Sequence, residues 1–207
     1  PIHCNLANHN DSLLNDLLRS NVLLLEAETG AGKSIYAPSI AYMACDQIFR
    51  EDNSINVSFR KSGFRGIHMT PTGEQAIQNA DHVRDEMLDA CDMVIGSHCA
   101  ALTYDGENRS NIINRTTNYL YCTQFFGVHA LETEALFHVV VLDEVHELTP
   151  SVLYLLYLVR ERLKDGTIFR VLLLSATMAP WLKRRITNYF NKIDVNVDVI
   201  TCGKSPF

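Results

Sequence analysis

The sequence predicts an α/β fold, a mostly parallel twisted sheet with helices on both faces, and three observations predict it. Short β-branched or aliphatic runs alternate with segments of helical apolar spacing along the 207 residues, a glycine-rich turn joins one run to a helix, and another run ends in two adjacent carboxylates. Such alternation builds a sheet covered on both faces, whose ligands gather at the carboxyl ends of the strands. Seven runs read as strands: Asn21 to Glu26, Gly66 to Thr70, Asp92 to Gly96, Tyr119 to Cys122, His138 to Leu142, Phe169 to Leu174 and Val195 to Thr201. Leu13 to Leu18, Lys33 to Phe49, Glu74 to Ala90 and Ser151 to Leu163 carry helical patterns, as does Trp181 to Phe190, and Thr149-Pro150-Ser151 reads as a helix start with Pro in the first turn. Arg50 to Arg65 and Tyr104 to Asn114 are polar and read as surface excursions, the second as a hairpin tip.

Composition bounds the function classes. With 47% hydrophobic residues the chain can bury a core, and without a repeat, low-complexity tract or linker it reads as one domain over residues 1–207. No apolar run approaches the roughly 20 residues that cross a bilayer, so no membrane segment is expected and the chain reads as soluble. It begins at Pro1 and reads as a piece of something longer. Six cysteines without a C-x-x-C pair argue against a zinc ribbon or a disulfide scaffold, and eight dispersed histidines against a metal cluster. The net charge of −6 is unusual for a nucleic-acid protein, although backbone N–H groups, hydroxyls and helix N-termini can hold a strand without adding formal charge.

Ala27-Glu28-Thr29-Gly30-Ala31-Gly32-Lys33-Ser34 follows a strand and opens a helix, the setting of a phosphate-binding loop. Glycines let successive N–H groups turn toward phosphate oxygens, and the helix N-terminus adds partial positive charge. Glu28 to Ser34 would therefore bind a nucleoside triphosphate, Lys33 reaching its β- and γ-phosphates and the Ser34 hydroxyl ligating Mg2+. Ala27 stands where the generic loop has its first glycine.

The run ending at Leu142 gives way to Asp143-Glu144-Val145-His146. Two carboxylates at a strand end are costly unless a cation or a reaction uses them. In phosphate-loop chemistry Asp143 would hold the metal, mostly through water, with Glu144 beside it orienting and deprotonating the attacking water. Ser175-Ala176-Thr177 closes a further strand, and its hydroxyls could sense the γ-phosphate and relay its state. One alternative is a GTPase, because Asn191-Lys192-Ile193-Asp194 spells a guanine-reading pattern; it lacks D-x-x-G at the magnesium strand. Another is a nucleotide-switched scaffold, against which Glu144 argues, since a switch has no need of a base.

In this order and spacing, A-E-T-G-A-G-K-S, D-E-V-H and S-A-T resemble the superfamily-two helicases, specifically the DEAH-box group and its viral DExH relatives. Pro38, Val94-Ile95-Gly96, Tyr119 to Gln124 and Cys202 to Phe207 extend the likeness over nearly the whole chain. The resemblance implies the first RecA-like domain of an ATP-dependent helicase loosely selective among NTPs. It implies that Thr70-Pro71-Thr72 (motif Ia) and Thr123 (motif Ib) touch a single strand, expected to be RNA, and that His146 couples the nucleotide and strand sites. Gly73 stands where an arginine commonly follows the motif Ia Pro-Thr pair, and the D-E-V-H variant looks viral. A second RecA-like domain of the same chain would supply arginines to the transition state, so these residues alone should turn over little NTP. A cytoplasmic location, including viral replication sites, is the corresponding expectation.

Overall fold

The computed structural model describes residues 19–28, 33–34, 37–39, 41, 65–83, 99–102, 119–133 and 137–202. Among them seven strands form one sheet: β1 (Val22–Ala27), β2 (Gly66–Thr70), β3 (Cys99–Leu102), β4 (Tyr119–Thr123), β5 (Val139–Leu142), β6 (Arg170–Ser175) and β7 (Val197–Cys202). Their order is β3-β4-β2-β5-β6-β1-β7, and every pairing is parallel. All carboxyl ends therefore share one rim. The helices are α1 (Gly73–His82), α2 (Gln124–Glu132), α3 (Pro150–Lys164) and α4 (Pro180–Asn191), with helical residues also at 33–34, 37–39 and 41.

The caps explain where the helices begin. Thr72, Thr123 and Thr149 each accept an N–H from the first turn, of Gln75, Phe126 and Val152. Pro150 and Pro180 take first-turn positions, where no N–H is missed. Helix α3 ends on Arg162 and Lys164, favourable against its dipole, and Gly166 follows at φ 73°, a conformation that costs glycine little.

Alternation sorts the strands onto two faces. Val22, Leu24, Ile67, Met69, Leu120, Cys122, Val140, Leu142, Val171 and Leu173 share a core with buried residues of α2, α3 and α4. The opposite face carries His68, Thr70, Tyr121, Val141 and Asp143, as the β2–β4 and β2–β5 registers require. Core burial at about 25 cal/mol per Å² is what drives these elements together.

Six of the expected strands match observed ones to within two residues at each end, and the Ser151 to Leu163 helix and its start are found as read. Two elements differ from expectation. Strand β3 was not anticipated at Cys99–Leu102, nor was helix α2 at Gln124–Glu132, of which only Gln124 had been read, as the end of the motif Ib stretch. The expected Asp92 to Gly96 strand, Leu13 to Leu18 helix and Tyr104 to Asn114 hairpin tip lie outside the described residues, as do residues 50–64 of the first polar stretch and the C-terminal part of the Glu74 to Ala90 helix. No described helix is long and apolar enough to cross a membrane.

Candidate active site

Strand β1 delivers the phosphate-loop segment, and β5 delivers Asp143 and Glu144, to the same rim. Lys33 is helical and only 5% exposed, yet its Nζ lies 3.1 Å from Glu144 Oε1. A buried ammonium needs such a partner, since an isolated charge away from water is strongly disfavoured. Glu144 holds a left-handed backbone, φ 53° and ψ 44°, costing a non-glycine residue about 1–2 kcal/mol. The twist takes the chain from β5 into the 3-10 turn Val145–Glu147, and it swings the Glu144 side chain back over Lys33 while Val145 enters the core. Strain of this kind is typical of sites where geometry matters more than stability.

Asp143 is held from several sides. Its N–H donates to Met69 O at 2.9 Å, its Oδ1 accepts the Glu144 N–H at 2.9 Å, and its carbonyl accepts Gln124 Nε2 at 3.0 Å. Burial opposes ionisation, but His68, the Ser34 hydroxyl and the charge of Lys33 outweigh it and hold the carboxyl below the ordinary aspartate value. A carboxyl biased toward its ionised form beside a serine hydroxyl suits a small hard cation. Among the described residues no three His, Cys, Asp or Glu side chains converge into a cage. One carboxylate, one hydroxyl, phosphates and water are the coordination magnesium takes, so the donor set fits that ion.

His146 Nδ1 stands 3.1 Å from Glu144 Oε2 and 3.1 Å from Ser175 Oγ. Ser175 donates its single hydrogen to Thr177 O at 2.8 Å, so toward His146 it can only accept, and Nδ1 must carry the proton. Glu144 Oε2 makes no aligned hydrogen bond, so its contact with His146 is one of charge and dipole. The D-E-V-H turn and the end of β6 are thereby joined through one ring. Of the Ser175-Ala176-Thr177 triplet, Ser175 is buried and Thr177 exposed.

Of the expected loop residues, Glu28 is exposed at the end of β1, Lys33 and Ser34 are in the site, and Thr29, Gly30, Ala31 and Gly32 lie outside the described residues. The motif Ia and Ib residues sit on neighbouring strands, Thr70 paired with Thr123. Thr70 is fully buried and its hydroxyl donates to Thr72 O at 2.8 Å, so the outward groups of this stretch are Pro71 and Thr72. Thr72 and Thr123 cap α1 and α2, which places two helix N-termini side by side on the rim.

Asn191 ends α4, and Lys192-Ile193-Asp194 forms the turn before β7, near the start of β1 where Asn21 N–H and Val22 N–H reach Asn196 O. That is the rim opposite the site, where a guanine reader would be useless. Three contributors escaped the sequence reading: His68, Gln124 and Glu26. Glu26 accepts Met178 N–H at 2.8 Å and pairs with Lys183, tying β1 to the segment after Ser175-Ala176-Thr177. The available signal was a polar residue inside an apolar strand run, at His68 and at Glu26.

Residues 8–184 match the DEAD/DEAH box helicase family. The chain is 29% identical over 174 residues to the human "ATP-dependent RNA helicase DHX29", covering 82% of this chain and 12% of that protein. Its Xenopus laevis counterpart is 30% identical over 171 residues, again 12% of the relative. The chain thus spans about an eighth of the length of these relatives. The Pyrococcus furiosus Hef helicase domain superposes with a TM-score of 0.65 over 98% of this chain and 40% of that one, at 16% identity, a likeness of fold. Since the match takes in the phosphate loop, the Asp-Glu turn and the Ser-Ala-Thr strand end, and the fold brings their described residues to one rim, the chain belongs to the DEAD/DEAH box helicase family.

Proposed function

We propose that the chain is a single RecA-like domain forming the ATP-binding half of an RNA helicase motor, working against a second such domain. The observation that supports the reading is the Lys33–Glu144 ion pair close to Asp143, one ammonium and two carboxylates in a single cluster, the groups such a motor needs for phosphate, metal and water. The relatives named as ATP-dependent RNA helicases support ATP as the fuel and RNA as the strand.

Each residue then has a task. Lys33 leaves Glu144 for the β- and γ-phosphates, keeping a negative partner throughout. Magnesium, when bound by Ser34 and Asp143, supplies charge neutralisation at the phosphate oxygens. Glu144, released from Lys33, accepts a proton from the attacking water. His146, fixed by Ser175, transmits the position of Glu144 to the end of β6. Thr72 and Thr123, with the N–H groups of α1 and α2, hold strand phosphates without a basic surface, and Pro71 packs beside them. Arginines of the second domain complete the transition-state charge.

The D-E-V-H turn and Gly73 support a place near the viral DExH helicases, and with it a cytoplasmic site of action. The test is ATP hydrolysis by the full-length protein with single-stranded RNA or DNA, alongside Lys33→Ala. RNA-stimulated hydrolysis abolished by Lys33→Ala is expected; hydrolysis that survives the substitution would overturn the reading.

A further inference from the structure

His68 sits at the centre of β2, paired in register with Tyr121 on one side and Val141 on the other, and is 0% exposed. A fully buried imidazole is expensive in a strand that needs only apolar filling, because each polar nitrogen left without water loses a hydrogen bond. The ring lies 4.9 Å from that of Tyr121, tilted by 43°, which fixes its plane. Neither ring nitrogen makes an aligned hydrogen bond to another described residue. Nε2 nevertheless points at one target, Asp143 Oδ2, at 3.7 Å.

The sheet explains the approach. Met69 pairs with Leu142, and the next residue of β5, Asp143, donates its N–H to Met69 O, so His68 and Asp143 project from the same face of adjacent strands. Asp143 Oδ1 is already tethered to the Glu144 N–H, which leaves rotation about the carboxylate to be stopped at Oδ2. Closure of about 1 Å brings Nε2 into hydrogen-bond range of that oxygen.

We propose that His68 is a positioning residue for Asp143, donating its Nε2–H to Oδ2 and so holding the carboxylate in the orientation that receives the metal. The proposal rests on the magnesium role given to Asp143 above. Outer hydrogen bonds of this kind set metal affinity by about 10- to 100-fold.

The test is the Mg2+ dependence of binding of a fluorescent, non-hydrolysable ATP analogue to the full-length protein. His68→Leu and His68→Asn are expected to raise the Mg2+ midpoint about tenfold while leaving binding without Mg2+ unchanged. His68→Gln, whose amide nitrogen can occupy the place of Nε2, is expected to restore the wild-type midpoint. If His68→Leu fails to fold, as thermal unfolding will show, the contrast between Asn and Gln decides. Equal midpoints in wild type, Asn and Gln variants would overturn the positioning role while leaving the ATP site intact. Equal shifts in Asn and Gln would overturn it in favour of simple packing. A wild-type protein that binds the analogue with no Mg2+ dependence would overturn both the proposal and the magnesium site beneath it.

Discussion

Lys33 and Glu144 neutralise each other where neither has much water, so removing either partner exposes the other's charge to a poor solvent. Lys33→Ala should therefore weaken ATP binding by more than about tenfold and also destabilise the fold, since it takes the cation away from a partly buried carboxylate. Isothermal titration and urea unfolding measure the two effects separately. Glu144→Gln keeps a polar group of the same shape but no proton acceptor; it should bind ATP at least as well as wild type and lose about 100-fold or more in kcat. Single-turnover hydrolysis at wild-type rate in Glu144→Gln would remove the base from the proposed mechanism. These residues were legible because their chemistry recurs at fixed positions relative to strand ends. His68, Gln124 and Glu26 were not, because their partners come from strands or segments far away in the chain and only the sheet order reveals which side chains meet.

Helix α2 shows the limit of periodicity at the scale of elements. Its buried residues are Gln124, Gly127, Ala130 and Leu131, while Phe125 is 66% exposed, so apolar residues lie on all sides and no stripe marks the inward face. Strand β3 has four residues and no β-branched one, too little to register as a strand. The strands β1, β5 and β6 were readable because burial on both faces makes their central runs continuously apolar, and β2 and β4 because apolar residues surround their few polar ones. In α2 the position of Gly127 is decisive: a Cβ there would stand 2.1 Å from Met69 Sδ. Met69 is buried and its carbonyl receives the Asp143 N–H, so the helix presses on the strand that positions the site. Gly127→Ala should destabilise the protein by about 1–3 kcal/mol through overpacking. Paired with Met69→Ala it should cost less than the sum of the two single changes, a coupling that a double-mutant cycle reads directly.

At the scale of the whole molecule, acid stability should follow His138. Burial, then the nearby Arg65 charge, push its pKa down to about 4 from 6.5, and its Nδ1 accepts the Arg65 N–H, a bond open only to a ring unprotonated at that nitrogen. Its ring stacks on Phe169 at 5.6 Å, at the start of β5. Between pH 6.5 and about 4 the unfolded chain binds the extra proton, so stability is full above that window and falls within it by up to about 3 kcal/mol. The lowered carboxyls of Asp143 and Glu26 contribute stability above their ordinary values of 3.8 and 4.5 and lose it as pH falls through their lowered ones. Urea midpoints across pH 4 to 7 should show the decline, and His138→Asn, whose Oδ1 keeps an acceptor for the Arg65 N–H, should flatten it.

Because every strand runs the same way, the starts of β5 and β6 and the turn Asp165-Gly166-Thr167 lie on the rim away from Lys33, Asp143 and Glu144. At Gly166 an added side chain would meet nothing within 4 Å, although its φ of 73° favours glycine, which makes the exposed Asp165 beside it the better handle. A dye or a surface tether fixed there would leave the rim that carries Lys33, Asp143 and Glu144 unobstructed, so ligand binding at that rim could be followed on single anchored molecules.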